Sequence, residues 1–142
     1  MSESNCIFCK IASGEFSSST IYEDDLFRVI LDISPAAKGH ALLIPKRHIE
    51  NIFELDGEES ELALSVIREV SCAIKKTLSC DGINVIQNNG SAAGQSVFHL
   101  HFHIIPRYEN DQVHIPWKGI SYEEGEANQL ADKIRAMLHD YL

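Results

Sequence analysis

From Phe98 to Ile104 the chain alternates without a break: His99, His101 and His103 on one parity, Phe98, Leu100, Phe102 and Ile104 on the other. Successive strand side chains point to opposite faces. The alternation therefore predicts a strand over 97–105, with apolar residues packed on a core and imidazoles on the other face. At about 3.3 Å of rise per residue, His99 and His103 would lie about 13 Å apart. That span is too long for three rings to share one metal from a straight strand. It suits three adjacent imidazoles with different tasks. With an ordinary pKa near ~6.5, imidazole can serve as nucleophile, acid or base. An imidazole attacking phosphorus would form a phosphoramidate and split one displacement into two. A single histidine on a strand is more often plain surface, but three in register behind a loop of small residues favour a site.

The remaining pattern supplies a frame for this strand. Ile83 to Gln87 reads as a strand, and Asn88 to Ser96 as the loop between the two, which makes them an antiparallel pair. Phe27 to Leu31 and Ala41 to Ile44 read as two more strands. Asp56 followed by Glu59 predicts a helix N-terminus, and Ala63, Ile67, Val70, Ile74 and Leu78 recur at helical spacing up to a stop at Gly82. Ser121 and Glu124 resemble a second capping box, ahead of Leu130, Ile134, Met137, Leu138 and Tyr141. The order implies an α+β fold with a mainly antiparallel sheet. Cys72 falls in the helical pattern and reads as a small buried hydrophobe.

The 142 residues fit one domain, 1–142, with no repeat or linker. A net charge of −9 excludes a general binder of DNA or RNA polymer, which needs a basic face. No apolar stretch approaches the roughly 20 residues of a membrane span. Met1 to Asn5 is polar and lacks the pattern of a secretory leader, so the expected location is cytoplasmic.

Two further segments carry chemistry. In the 88–96 loop, Gly90 and Gly94 allow close backbone approach to an anion, Ser96 offers a hydroxyl, and Asn88 and Asn89 offer amides. Its plainer alternative is an ordinary hairpin connection. Cys6 and Cys9 have the C-x-x-C spacing of half a zinc site, for which His40, His48 and His99 could complete the set. A redox pair and a chance spacing stay open.

Taken in order, these pieces resemble the histidine triad (HIT) family and, within it, the Hint branch of nucleoside phosphoramidate and phosphate hydrolases. The resemblance runs from Cys6 to about Arg107 and rests on the His99–Ile105 signature, Cys6-Ile7-Phe8-Cys9-Lys10-Ile11, Leu31-Asp32-Ile33-Ser34-Pro35, Gly39-His40, Ile44-Pro45-Lys46-Arg47-His48, and Asn88 through Ser96. It implies a five-stranded, mainly antiparallel sheet with a long central helix and a C-terminal helix, assembled as a homodimer. It implies a purine nucleotide ligand, AMP- or GMP-like. His101 would attack its α-phosphate, His103 would contact phosphate or assist the leaving group, and His99 would support His101 from behind. Asn88, Gly94 and Ser96 match phosphate-holding positions, and Asp32 a ribose-binding carboxylate, though alone it reads as a turn residue before Ser34-Pro35. Ile7, Phe8, Ile11, Ile30 and Ile33 match the apolar base pocket, with core packing as their plainer reading. Cys6, Cys9, His48 and His99 match a structural Cys2His2 zinc set, with His40 outside it as a hydrogen-bonding residue. No organic cofactor is expected.

After Arg107 the chain departs from the short Trp-Pro-Pro-Gly-like ending of animal Hint proteins. Ile115-Pro116-Trp117-Lys118-Gly119 leads into an extra helix, as in bacterial members with an extended tail, so 108–142 reads as a C-terminal extension on a core of about 6–107. Besides a hydrolase or transferase, a nucleotide-binding regulatory module with little turnover would share this pocket. A zinc hydrolase with metal at the triad fits less well, because a straight strand spreads the rings.

Overall fold

The structure is a computed structural model and describes residues 3–115 and 117–141; Met1, Ser2, Pro116 and Leu142 lie outside the described residues. The elements in chain order are α1 (Ile7–Ala12), β1 (Thr20–Glu23), β2 (Phe27–Leu31), β3 (Ala41–Pro45), α2 (Gly57–Leu78), β4 (Gly82–Gln87), β5 (Phe102–Arg107) and α3 (Glu126–Leu138). The five strands form one sheet in the order β1-β2-β3-β5-β4, antiparallel at every pairing. The fold is α+β, with the sheet type and helix placement read from the sequence.

Two apolar layers sandwich the sheet. On one face Phe27, Val29, Ala41, Leu43 and Ile104 pack against Ala63, Val66, Ile67, Val70 and Ile74 of α2. On the other, Ile30, Leu42 and Ile44 pack against Cys6, Phe8 and Ala12 at α1. β2 and β3 are therefore buried on both sides, which explains their unbroken apolar runs. The α1 side is the one that His103 faces, because Ile104 points to α2 and neighbours alternate.

Several local expectations are corrected. β5 begins at Phe102 rather than Val97, and residues 97–99 bend instead of extending. The long helix has Asp56 at its N-cap, but no side-chain cap forms there. Arg47 draws both partners away, at 2.6 Å from Asp56 and 3.0 Å from Glu59. α2 stops at Ser79, which adopts φ 52°, and Gly82 instead opens β4. α3 starts after Gly125, at φ 79°, and the Glu126 carboxylate accepts from the Glu123 N–H, so Ser121 and Glu124 make no capping box. Cys72 is exposed on α2.

Gly39 holds the entry to β3. Its φ is +96°, and a Cβ there would collide with Leu78 Cδ1. Gly39→Ala combines left-handed backbone strain with overpacking and should cost about 2–4 kcal/mol. Thermal unfolding followed by circular dichroism should show Tm lower by roughly 10 °C; an unchanged Tm would mean this turn is not under that constraint.

Candidate active site

Two clusters of polar side chains lie on the α1 side of the sheet and share the 97–101 bend. The first joins Cys6 and Cys9 of the α1 start, His48 beyond β3, and His99. Cys6 sits at the N-cap of α1, and its sulfur accepts from the Cys9 N–H at 3.4 Å. His99 Nδ1 lies 3.3 Å from Cys6 Sγ and 3.4 Å from Cys9 Sγ, and His48 Nδ1 lies 3.2 Å from Cys9 Sγ. All four donor atoms fall within 4.8 Å of one another.

This donor set fits zinc. Tetrahedral Zn–S and Zn–N bonds put sulfur and nitrogen about 3.6 Å apart, close to these separations. The tautomer fits as well. His99 Nε2 donates to the Pro45 carbonyl at 2.8 Å, which leaves the lone pair of Nδ1 aimed at the sulfurs. Burial pushes the Cys9 thiol up to about 12, with Cys6 beside it adding to the rise. A buried dication would reverse that cost by stabilising the thiolates.

The second cluster is the triad, and the bend divides it. His99 turns its ring to the cysteines and presents its backbone carbonyl to His101. His101 Nδ1 donates to that oxygen at 2.7 Å. A carbonyl can only accept, so the hydrogen is on Nδ1 and the lone pair on Nε2. The His101 and His103 rings follow at 5.0 Å between centroids, and the edge-to-face contact with Phe8 at 4.9 Å fixes the His101 ring. The straight strand behind the expected spread of about 13 Å is not formed, because residues 97–99 bend.

His103 has its own tautomer chain. The Ala36 N–H donates to His40 Nδ1 at 3.0 Å, so a neutral His40 carries its hydrogen on Nε2. His40 Nε2 donates to His103 Nδ1 at 2.9 Å. A neutral His103 is thereby left with a hydrogen on Nε2. Asp32 Oδ2 stands 3.7 Å from His40 Nε2, and its other oxygen accepts from the Ser34 N–H at 2.8 Å. Asp32 is thus both a turn residue and a pocket residue. Asp32, His40 and His103 also place one donor atom each within 4.8 Å. The Ala36 hydrogen bond argues for a relay there, because a metal on His40 Nε2 would force a hydrogen onto Nδ1 against that N–H.

A cavity of about 250 Å³ opens between these groups, lined by Phe8, Ile11, Ile30, Asp32, Ile33, Leu42, Ser96, Val97, His101 and His103. It collects most of the residues singled out in the sequence. Ile7 is not among the lining and is 45% exposed. Asn88 and Gly94 sit beside each other in the neighbouring loop: a Cβ on Gly94 would stand 3.6 Å from Asn88 Nδ2. Leu42 and Val97 join the lining without a sequence signal beyond their apolar character. Gln95 likewise carries no sequence signal. It is buried, takes the Gly90 N–H at 2.7 Å, and donates to the carbonyls of Glu50 and Val97 at 2.8 and 3.1 Å, pinning the small-residue loop at both ends.

Residues 13–110 match the HIT domain family. The chain belongs to that family. It is 46% identical to the protein named Protein hit of Bacillus subtilis over 80% of this chain and 79% of the relative. It is 39% identical to an adenylylsulfatase of Arabidopsis thaliana over 96% and 71% of the two chains, and 36% identical to an adenosine 5'-monophosphoramidase of Schizosaccharomyces pombe over 94% and 98%. Among solved structures, a HIT family member from Bacillus subtilis superposes with a TM-score of 0.88 at 41% identity, covering 93% of this chain and 96% of that one. A zinc-bound histidine triad protein from Mycobacterium smegmatis superposes at 0.75 and 33% identity, over 99% and 100%.

Electrostatics in this HIT pocket favour neutral imidazoles. Burial lowers His101, against the pull of the His99 hydrogen bond and the Asp32 charge. Burial, then His101 and His40 nearby, brings His103 down to about 4. His40 is lowered by burial too. The folded pKa of each lies below its unfolded value. The stability they contribute is therefore complete above pH 6.5 and is lost as pH falls toward the lowered values. Turnover that needs a neutral His101 should accordingly hold its plateau below pH 6.5, in a kcat/KM profile corrected for unfolding. An acid limb centred above pH 6.5 would contradict this.

Proposed function

We propose that the chain is a hydrolase or transferase acting on the α-phosphate of purine nucleotide conjugates, of phosphoramidate or dinucleotide type, through a nucleotidyl-histidine intermediate. The observation that carries this is the His101 tautomer, with Nδ1–H on the His99 carbonyl and an Nε2 lone pair at the cavity. Nε2 attacks phosphorus, the N–P bond forms, and the bond to the leaving group breaks. His103 Nε2–H gives its proton to the leaving group. Water then attacks the phosphorus, returns a proton to His103, and releases the nucleoside monophosphate with His101 restored. The Asp32 charge favours a positive His101, which is what the intermediate requires.

The apolar walls Phe8, Ile11, Ile30, Ile33 and Leu42 suit a purine, and Ile7 is not one of them. Asp32 holds the ribose hydroxyls, and Asn88, Gly94 and Ser96 hold the phosphate. Cys6, Cys9, His48 and His99 would hold a zinc ion, which would tie α1 to the 97–101 bend and neutralise the thiolates there. The core of about 6–107 carries this chemistry, and the protein works as a cytoplasmic homodimer with 108–142 as an extension. The hydrolase names of the plant and yeast relatives support the reaction class.

Adenosine phosphoramidate, adenylyl sulfate and a diadenosine polyphosphate, assayed side by side, test it. At least one should be turned over with release of AMP. Nucleotide binding with no turnover of any would favour the regulatory module instead. Asp32→Ala should raise KM about 10-fold, the worth of a charge-assisted hydrogen bond to ribose. An unchanged KM would remove Asp32 from the ribose site.

A further inference from the structure

We infer that Cys9 is the target of small hydroperoxides: its oxidation joins it to Cys6 as a disulfide, releases the zinc and, by freeing His99, slows turnover. This rests on the zinc reading and on the role given to His101. C-x-x-C is the spacing of a redox pair as well as of half a metal site. In this fold both uses fall on the same two sulfurs, and one of their neighbours, His99, also belongs to the active site.

The two cysteines are placed differently. Cys6 is fully buried, and its sulfur takes the Cys9 N–H at 3.4 Å. Cys9 is half-buried and lines a surface cavity of about 290 Å³. A small oxidant therefore reaches Cys9 first. Glu3 stands on the same rim beside the Lys10–Glu15 ion pair, so the rim is net negative. That charge disfavours anionic oxidants such as glutathione disulfide and favours a small neutral hydroperoxide. The thiolate, not the thiol, attacks peroxide, and zinc would hold both sulfurs in that form.

The Cys9 thiolate attacks one peroxide oxygen, the O–O bond breaks, and a sulfenic acid and hydroxide result. The Cys6 thiolate then attacks the Cys9 sulfur, the S–S bond forms, and a second hydroxide leaves. Two electrons pass from the sulfurs to the peroxide. The closure is local: the sulfurs lie within 4.8 Å of each other, and Cys6 sits outside the helix at its N-cap, with extended backbone. The disulfide leaves His48 and His99 alone, two neutral ligands where a structural zinc takes four. His99 Nδ1, at 3.3 and 3.4 Å from the two sulfurs, loses the metal that would fix its ring. The carbonyl of the same residue holds His101 Nδ1–H at 2.7 Å. Zinc release therefore loosens the 97–101 bend and the aim of the His101 lone pair.

Graded hydrogen peroxide added to the zinc-loaded full chain at neutral pH tests this. A chromogenic chelator reads released zinc, peptide mass mapping reads the state of each cysteine, and turnover of adenosine phosphoramidate is followed in parallel. About one zinc per chain should be released in step with a Cys6–Cys9 disulfide. Both should run about 5-fold or more ahead of oxidation of Cys72, the exposed thiol on α2. Turnover should fall about 100-fold over the same course, the scale of misplacing a reacting group by about 1 Å. Dithiothreitol with added zinc should restore it. Cys72→Ser, away from the site, should release zinc at the wild-type rate. Zinc retained while Cys72 is oxidised would overturn the proposal, as would release with Cys9 as sulfinic acid and no disulfide. Slowed release in Cys72→Ser would move the attack to Cys72. Release with unchanged turnover would overturn the coupling through His99. A wild-type chain that binds no zinc would overturn the metal reading and this proposal with it. If the substrate panel shows no turnover, the catalytic reading fails separately, and the zinc and disulfide readouts still decide the oxidation.

Discussion

His101→Ala is expected to bind AMP and keep the wild-type fold while losing turnover by about 10⁴-fold or more, the scale of removing a covalent nucleophile. The position allows this separation. His101 contributes one hydrogen bond, to the His99 carbonyl, and ring contacts with Phe8 and His103. None of these ties the strands together, so the protein should still fold. The binding walls come from α1, β2 and β3 and do not depend on the imidazole. His103→Ala should behave differently. It removes the proton donor but leaves the nucleophile, so a substrate whose leaving group needs no protonation should be spared relative to a phosphoramidate. Equal losses on both substrates would take the leaving-group role from His103. A wild-type kcat in His101→Ala would take the nucleophile role from His101.

The second large effect concerns the Cys2His2 cluster. Purified wild-type protein should carry about one zinc per chain, and Cys9→Ser should lose most of it. The cluster ties together three segments distant in sequence: the α1 start, His48 and the 97–101 bend. Removing the metal leaves buried thiols facing neutral imidazoles with nothing to organise them. A loss of at least 3–5 kcal/mol is expected, about 10 °C or more in Tm. Turnover should fall as well, because His99 carries the carbonyl that orients His101. Metal analysis and calorimetry on wild type and variant check both parts. A metal-free wild type purified without chelator, or a variant with unchanged Tm, would contradict the structural role.

Much of this architecture is legible in the residues. The apolar period of α2 marks its core face, and Phe27–Leu31 and Ile83–Gln87 stand out as β-rich runs between turn residues. The cysteine pair and the alternating histidines are visible because their spacing is the chemistry. What escapes is set by distant partners. Residues 97–101 read as strand by alternation, but the Leu100 N–H bonds to the Ile49 carbonyl at 2.6 Å and the His99 ring is held by Pro45 and the cysteines. Tertiary contacts override the local period there, and the override divides the labour of the triad. α1, at six residues, and β1, at four with an irregular register, are too short to show a period. Asp56 looks like a cap until Arg47, nine residues earlier, takes its carboxylate. Gln95 carries no motif, and its importance lies in three backbone partners that only the fold brings together.

The central claim is a covalent bond between His101 Nε2 and the α-phosphorus. Rapid quenching of enzyme mixed with adenosine phosphoramidate carrying labelled α-phosphorus tests it most directly, with peptide mapping of the trapped label. The account predicts an acid-labile, base-stable adenylyl group on the peptide containing His101, formed no more slowly than product and absent in His101→Ala. Turnover with no labelled protein at any quench time, or label on a different residue, would contradict it.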